Sequence, residues 1–145
     1  MGHTYTDSAI IYLKIRKSFE AILSTSAIIA VYIFGSQVKS RKQNASDIDI
    51  ALLFDEASYK DDPIGTSAPA YLAATRAGLA TECKTDVTIL NTASLEIAYE
   101  VITSGICLAE TDREKRIAYE IALRGMYFDF KPFLEEIRSE CINTL

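Results

Sequence analysis

An α/β (α+β) domain, a small central sheet flanked by helices, is predicted by three features of the sequence. The run Ala27 to Phe34 (AIIAVYIF) is short, nearly all apolar and rich in β-branched residues, as a strand covered on both faces should be. A second short run, Asp47 to Phe54 (DIDIALLF), follows after a polar connector, and stretches of helical periodicity lie around both. With 145 residues, of which 49% are apolar, the chain is long enough to bury a core as one domain spanning residues 1–145.

From Asp7 to about Ser24, the apolar residues Ile10, Ile11, Leu13, Ile15, Phe19, Ile22 and Leu23 recur broadly at helical spacing, with Asp7 available as a cap. The first strand follows and stops at Gly35. Residues Ser36 to Ser46 (SQVKSRKQNAS) are too few for more than a turn or two of helix, so the strands on either side should be neighbours. Asp55 to Ser67 reads as a loop containing Pro63 and Gly65, and Pro69 then sits where a helix through about Glu82 could begin. Thr85 to Leu90 (TDVTIL) is a third strand, Ser94 to Thr103 a helix, and Ile106 to Ala109 a brief strand. Thr111 and Glu114 have capping-box spacing and should open a long helix, which Gly125 and Pro132 break or kink before a last helix to about Ile142.

Composition narrows the function. Twenty acidic against 15 basic side chains, a net charge of −5, argue against broad binding to nucleic acid, where neutralising phosphate dominates affinity. A local basic patch for a triphosphate is still compatible with that balance. The three cysteines, Cys83, Cys107 and Cys141, are widely spaced and form no CxxC pair, so buried reduced thiols are expected rather than disulfides or zinc ligands. No signal-like segment is present, and the longest apolar run is far short of a bilayer span, so a cytoplasmic location away from membranes is expected. The single histidine, His3, reads as part of a frayed terminus and receives no role.

Two aspartates open an otherwise apolar strand. Alternation places Asp47, Asp49, Ala51 and Leu53 on one face and Ile48, Ile50, Leu52 and Phe54 on the other, which sets the two carboxylates side by side. Like charges in a partly buried strand repel and lose hydration, and a divalent cation relieves both costs. Magnesium takes oxygen ligands and leaves positions for water and substrate phosphates, so such carboxylates suit a nucleotide–metal complex of one or two ions. Asp86, near the start of another strand, could supply a third carboxylate and draw a proton from an acceptor hydroxyl. Upstream, Gly35 and Ser36 end a buried strand. There a backbone can pass close to a ligand and a hydroxyl can donate to phosphate, with Lys39 one turn further on within reach of a triphosphate tail. Arg41 and Lys42 read as solvated charges. The bland alternative is a Gly-Ser turn followed by a solvated strand start, with Asp86 an ordinary acid at a strand edge.

The segment GSQVKSRKQNASDID resembles the GS-x10-DxD signature of the DNA polymerase β-like nucleotidyltransferase superfamily, with complete agreement in spacing. TDVTILNTAS resembles the strand that carries that superfamily's third carboxylate, which maps to Asp86, and YFDFKPFLEE further resembles the MntA-type minimal nucleotidyltransferases. The resemblance implies a nucleotidyltransferase fold with a small mixed central sheet, flanking helices and C-terminal helices. It implies Mg2+ held by Asp47, Asp49 and Asp86, and ATP as co-substrate held by Gly35, Ser36 and Lys39. It also implies an antitoxin that transfers AMP to tyrosines of a HepT-type HEPN ribonuclease toxin. Two departures stand out: Lys39-Ser40 where members often carry Arg-Gly, and Ile89 where they often carry a second acid.

Tyr119, Met126, Phe130 and Phe133 recur at helix-compatible intervals and are expected first to pack on the domain's own core, with a partner-docking face as the other reading. Two other functions compete with protein modification: transfer to a small hydroxyl compound, and a non-catalytic antitoxin that acts by occlusion. The first usually needs an additional substrate domain, for which 145 residues leave little room.

Overall fold

The computed structural model describes residues 3–35 and 47–143, with side chains from residue 8 onward. The connector that holds Ser36, Lys39, Arg41 and Lys42 lies outside the described residues. The elements are α1 (His3–Leu23), β1 (Ile28–Phe34), β2 (Asp47–Phe54), α2 (Glu56–Asp61), α3 (Pro63–Thr81), β3 (Lys84–Ile89), α4 (Leu95–Ser104), β4 (Ile106–Glu110) and α5 (Arg113–Asn143). The four strands form one mixed sheet in the order β3-β2-β1-β4, antiparallel at β1/β2 and β1/β4 and parallel at β2/β3. Among the described residues, no helix is long and apolar enough to cross a membrane.

The apolar character of β1, and of β2 from Ile50 onward, follows from their central position, since helices cover both faces. On one face Ile48, Ile50, Leu52 and Phe54 of β2 and Ile28, Val31 and Ile33 of β1 pack against Ile15 and Phe19 of α1 and Ala70, Ala73, Ala74 and Ala77 of α3. On the other, Ala51 and Leu53 of β2 and Ile29, Ala30 and Tyr32 of β1 meet Ala98, Val101 and Ile102 of α4 and Leu123 of α5. The alternation read from the sequence of β2 is therefore the one that the two layers use.

Several boundaries differ from the sequence expectation, each for a local reason. Among the described residues α1 spans His3–Leu23, so Asp7 lies inside the helix instead of capping it. The segment expected as a loop from Asp55 to Ser67 is helical, because Asp55 accepts from Ser58 N (3.2 Å) to start α2 and Asp62 accepts from Gly65 N (3.1 Å) to start α3. Pro63 occupies the first turn of α3, where its missing N–H costs nothing, and Pro69 lies within the helix rather than at its start. Glu82 ends α3 in the left-handed conformation at φ 57°.

The start of α5 is capped by Asp112, whose side chain accepts from Lys115 N at 3.1 Å, and not by Thr111. The Thr111 hydroxyl instead donates to the Ile28 carbonyl at 2.5 Å, fastening the end of β4 to the start of β1. α5 then runs unbroken through Gly125 and Pro132. Its first half is anchored by the Tyr32 hydroxyl, which donates to Glu120 at 2.9 Å, and by Arg116, which donates to Glu110 and, at 3.0 Å, to Glu120. Burial, followed by the acceptor Glu120, holds the Tyr32 hydroxyl well above the usual tyrosine range. Its second half is held to α4 by Tyr127 stacked on Tyr99 (ring centroids 3.6 Å apart) and by Arg138 on Glu96 (2.6 Å).

None of the three cysteines forms a disulfide, but the expectation that they are buried fails for Cys107 and Cys141, which are exposed, while Cys83 is half-buried. β4 is an edge strand and α5 has a wide solvent face, which accounts for both. Of the four residues expected to pack on the core, only Tyr119 does so. Met126, Phe130 and Phe133 are 48%, 54% and 65% exposed.

Candidate functional site

Three strand positions converge at one end of the sheet. Phe34, the last residue of β1, pairs with Asp49 of β2, and Asp49 pairs across the parallel ladder with Asp86 of β3. Asp47 opens β2 on the same face, opposite Lys84. Asp47 and Asp86 are exposed, and Asp49 is half-buried because it lies one step deeper along the strand. The local chemistry explains the break in apolarity: the strand must stop burying side chains where helices no longer cover it, and the first two odd-numbered positions of β2 lie at that rim.

Gly35 closes the row. It follows β1 with φ +86°, a left-handed conformation that favours glycine, and it presses on the Asp49 carboxylate. A Cβ at residue 35 would overlap Asp49 Oδ2 and sit 3.2 Å from Cγ. Gly35→Ala should therefore combine about 1–2 kcal/mol of backbone strain with displacement of the carboxylate. The expected outcome is a free energy of unfolding in urea lowered by that amount and nucleotide transfer reduced at least tenfold. A variant with wild-type activity would show that close approach to Asp49 is unimportant.

The Asp49 carboxyl is held above its ordinary range, first by burial and then by the negative charges of Asp86, Asp47 and Glu100. Glu100 was not indicated by the sequence. It is an exposed residue of α4, and only the packing of that helix over the sheet brings its charge to Asp49. The close seat of α4 is visible at Gly105, where a Cβ would lie 3.0 Å from the Ile33 carbonyl oxygen and 3.3 Å from Phe34 Cβ. Nothing in the spacing of residues 94–105 from the Asp-x-Asp pair signals this neighbour; the topology does.

The donor set is chemically suited to magnesium, being carboxylate oxygens whose mutual repulsion a divalent ion relieves. Among the described residues, however, no group of three or more acidic, histidine or cysteine side chains is closed around one point. The arrangement is an open rim that leaves positions for oxygen ligands from elsewhere. Of the residues expected at the site, Gly35, Asp47, Asp49 and Asp86 are brought to this one end, and Ser36 and Lys39 lie outside the described residues.

Residues 17–114 match the family model described as Polymerase beta, Nucleotidyltransferase. The chain belongs to that family, and its mixed sheet with flanking helices is the nucleotidyltransferase fold. Within the fold, it is similar to a chain from the crystal structure of a toxin–antitoxin with AMP-PNP, with 21% identity, a TM-score of 0.66 and coverage of 90% of this chain and 98% of that one. It is similar also to a chain of the toxin–antitoxin MntA-HepT (20% identity, TM-score 0.62, coverage 92% and 98%). A third likeness is to a chain of the complex between a tri-AMPylated Shewanella oneidensis HEPN toxin and its MNT antitoxin (19% identity, TM-score 0.59, coverage 96% and 98%). No curated protein matches the chain by sequence.

Proposed function

We propose that this chain is a Mg2+-dependent protein adenylyltransferase that moves AMP from ATP to a tyrosine hydroxyl of a cognate HEPN ribonuclease toxin and so acts as its antitoxin. The observation that carries the reading is the row Gly35, Asp49 and Asp86 at the uncovered end of the sheet, with Asp47 beside it. Family membership supports nucleotidyl transfer. The choice of acceptor is supported by fold likeness to complexes that contain HEPN toxins, one of them tri-AMPylated.

Asp47, Asp49 and Asp86 would hold magnesium, which when bound neutralises the triphosphate and polarises the phosphorus under attack. Gly35 keeps the backbone close to Asp49 and leaves the entrance free of a side chain. Ser36 would donate from its hydroxyl to a phosphate oxygen, and Lys39 would offset charge on the departing pyrophosphate. Asp86, the most exposed of the in-register pair, takes the proton from the tyrosine Oη as that oxygen bonds to the α-phosphorus and the bond to pyrophosphate breaks. The reading requires no nucleic-acid contact, and the net charge of −5 agrees with that. Action inside the cytoplasm follows from the nature of the acceptor.

The test is intact-mass analysis of the cognate HEPN protein after incubation with the full chain, Mg2+ and ATP. One or more added AMP groups, mapped to tyrosine and dependent on Mg2+, are expected. An unmodified toxin that is nevertheless inhibited, equally well without ATP, would replace this reading with inhibition by occlusion. Transfer to a small hydroxyl compound and not to the protein would replace it with a small-molecule enzyme.

A further inference from the structure

α3 has a single charged residue, Arg76, in its 19 residues. Its inner face is a row of alanines, Ala70, Ala73, Ala74 and Ala77, which lets it lie close to α1 and the sheet. Its outer face is largely apolar, with Arg76 at the edge of an exposed apolar stripe. A helix with apolar side chains on opposite faces normally has both faces covered.

The outer stripe comprises Ile64, Ala68, Tyr71, Leu72, Thr75 and Leu79, all exposed. Ile64, Tyr71, Leu72 and Leu79 expose 82%, 46%, 62% and 77% of their surface. The positions advance by 4, 3, 1, 3 and 4 residues, a series that reads the same from either end. Side-chain size follows the same symmetry: large, small, large, large, small, large. An open groove of about 550 Å3 runs along this face, bordered by Ile64, Ala68, Tyr71, Leu72 and Thr75.

We infer that this face joins two copies of the chain through a two-fold axis, with their α3 helices antiparallel. An isologous contact requires a self-complementary surface, in which residue i meets j and j meets i. With the axis between Tyr71 and Leu72, Ile64 of one copy meets Leu79 of the other, Ala68 meets Thr75, and Tyr71 meets Leu72. Each large side chain then has a small one beside its counterpart, the condition for ridges to enter grooves. The four large side chains offer roughly 500 Å2 per copy, so the pair buries on the order of 1,000 Å2, about the threshold that a biological interface must clear. The stripe carries no carboxylate of the catalytic rim, so pairing leaves those residues in place.

The full chain should sediment with twice its 16.1 kDa mass through the micromolar range. Leu72→Glu should halve that mass without changing the circular dichroism spectrum. Ile64→Lys and Leu79→Glu should each be monomeric alone and form a 1:1 heterodimer when mixed, since the axis sets the new lysine against the new glutamate. A wild-type chain that stays monomeric, as a docking face for a different protein would leave it, overturns the inference. So does a dimer that survives Leu72→Glu, or a pair of charged variants that fails to associate.

Discussion

Asp49→Asn should abolish nucleotide transfer while making the metal-free protein at least as stable as the wild type near neutral pH. Removing one group placed where charge develops costs about 10²–10³ in turnover, and the loss here should reach or exceed that. Asp47→Asn should lose activity in the same way. The stability half rests on the environment of Asp49, where burial, Asp86, Asp47 and Glu100 all disfavour the ionised carboxyl. Because its value in the folded chain is raised, Asp49 keeps its proton to a higher pH when folded than when unfolded. Its contribution to stability is complete below the unfolded carboxyl value and is lost as pH climbs through the raised folded one. Asparagine cannot ionise, so the advantage of the variant should be widest near neutrality and shrink in acid. Thermal unfolding in chelator at neutral and mildly acidic pH measures this. A variant less stable than the wild type near neutrality, or a gap that grows on acidification, would contradict the electrostatic account.

Phe19→Ala should cost about 3–5 kcal/mol, the range for emptying a buried aromatic site. Phe19 is fully buried where α1 meets the sheet and the alanine face of α3, so no neighbouring side chain is free to collapse into the space. Against a total stability of about 5–15 kcal/mol, that loss would leave much of the chain unfolded in mild urea. Phe133→Ala, at a position 65% exposed, should change the free energy of unfolding by no more than about 0.5 kcal/mol. Similar effects at the two positions would mean that α1 is not part of the cooperative core.

The features that sequence made legible are those enforced by burial from both sides. β2 occupies the residues expected, Asp47–Phe54, and β1 begins one residue later than expected, at Ile28, because an apolar run bounded by Gly35 and by aspartates has few other places to go. α4 was equally legible as a helix, expected from Ser94 to Thr103 and found at Leu95–Ser104, with Ser94 as the cap that accepts from Ile97 N at 3.3 Å. α2 was not legible: six residues with no buried side chain carry no periodicity, and only the Asp55 cap betrays them. The unbroken α5 was missed because proline and glycine usually end helices, yet on a largely exposed helix the lost hydrogen bond is tolerated by solvent. At the site, the Asp-x-Asp pair and Gly35 could be read from spacing. The approach of Glu100 could not, because it arises from how α4 crosses the sheet.

The parallel pairing of β2 with β3 imposes an unequal tolerance on chain length. Strand geometry flips successive side chains, so moving β3 by a single residue along β2 would turn Asp86 away from Asp49 and toward the face lined by Ile50. The 29 residues between these two strands hold α2 and α3, whose turns at Asp55 and Asp62 can absorb an added or deleted residue without moving either ladder. A change of one residue in length should thus be tolerated in the crossover, whereas a deletion of one residue inside residues 47–54 or 84–89 should separate Asp49 from Asp86 even when the chain still folds.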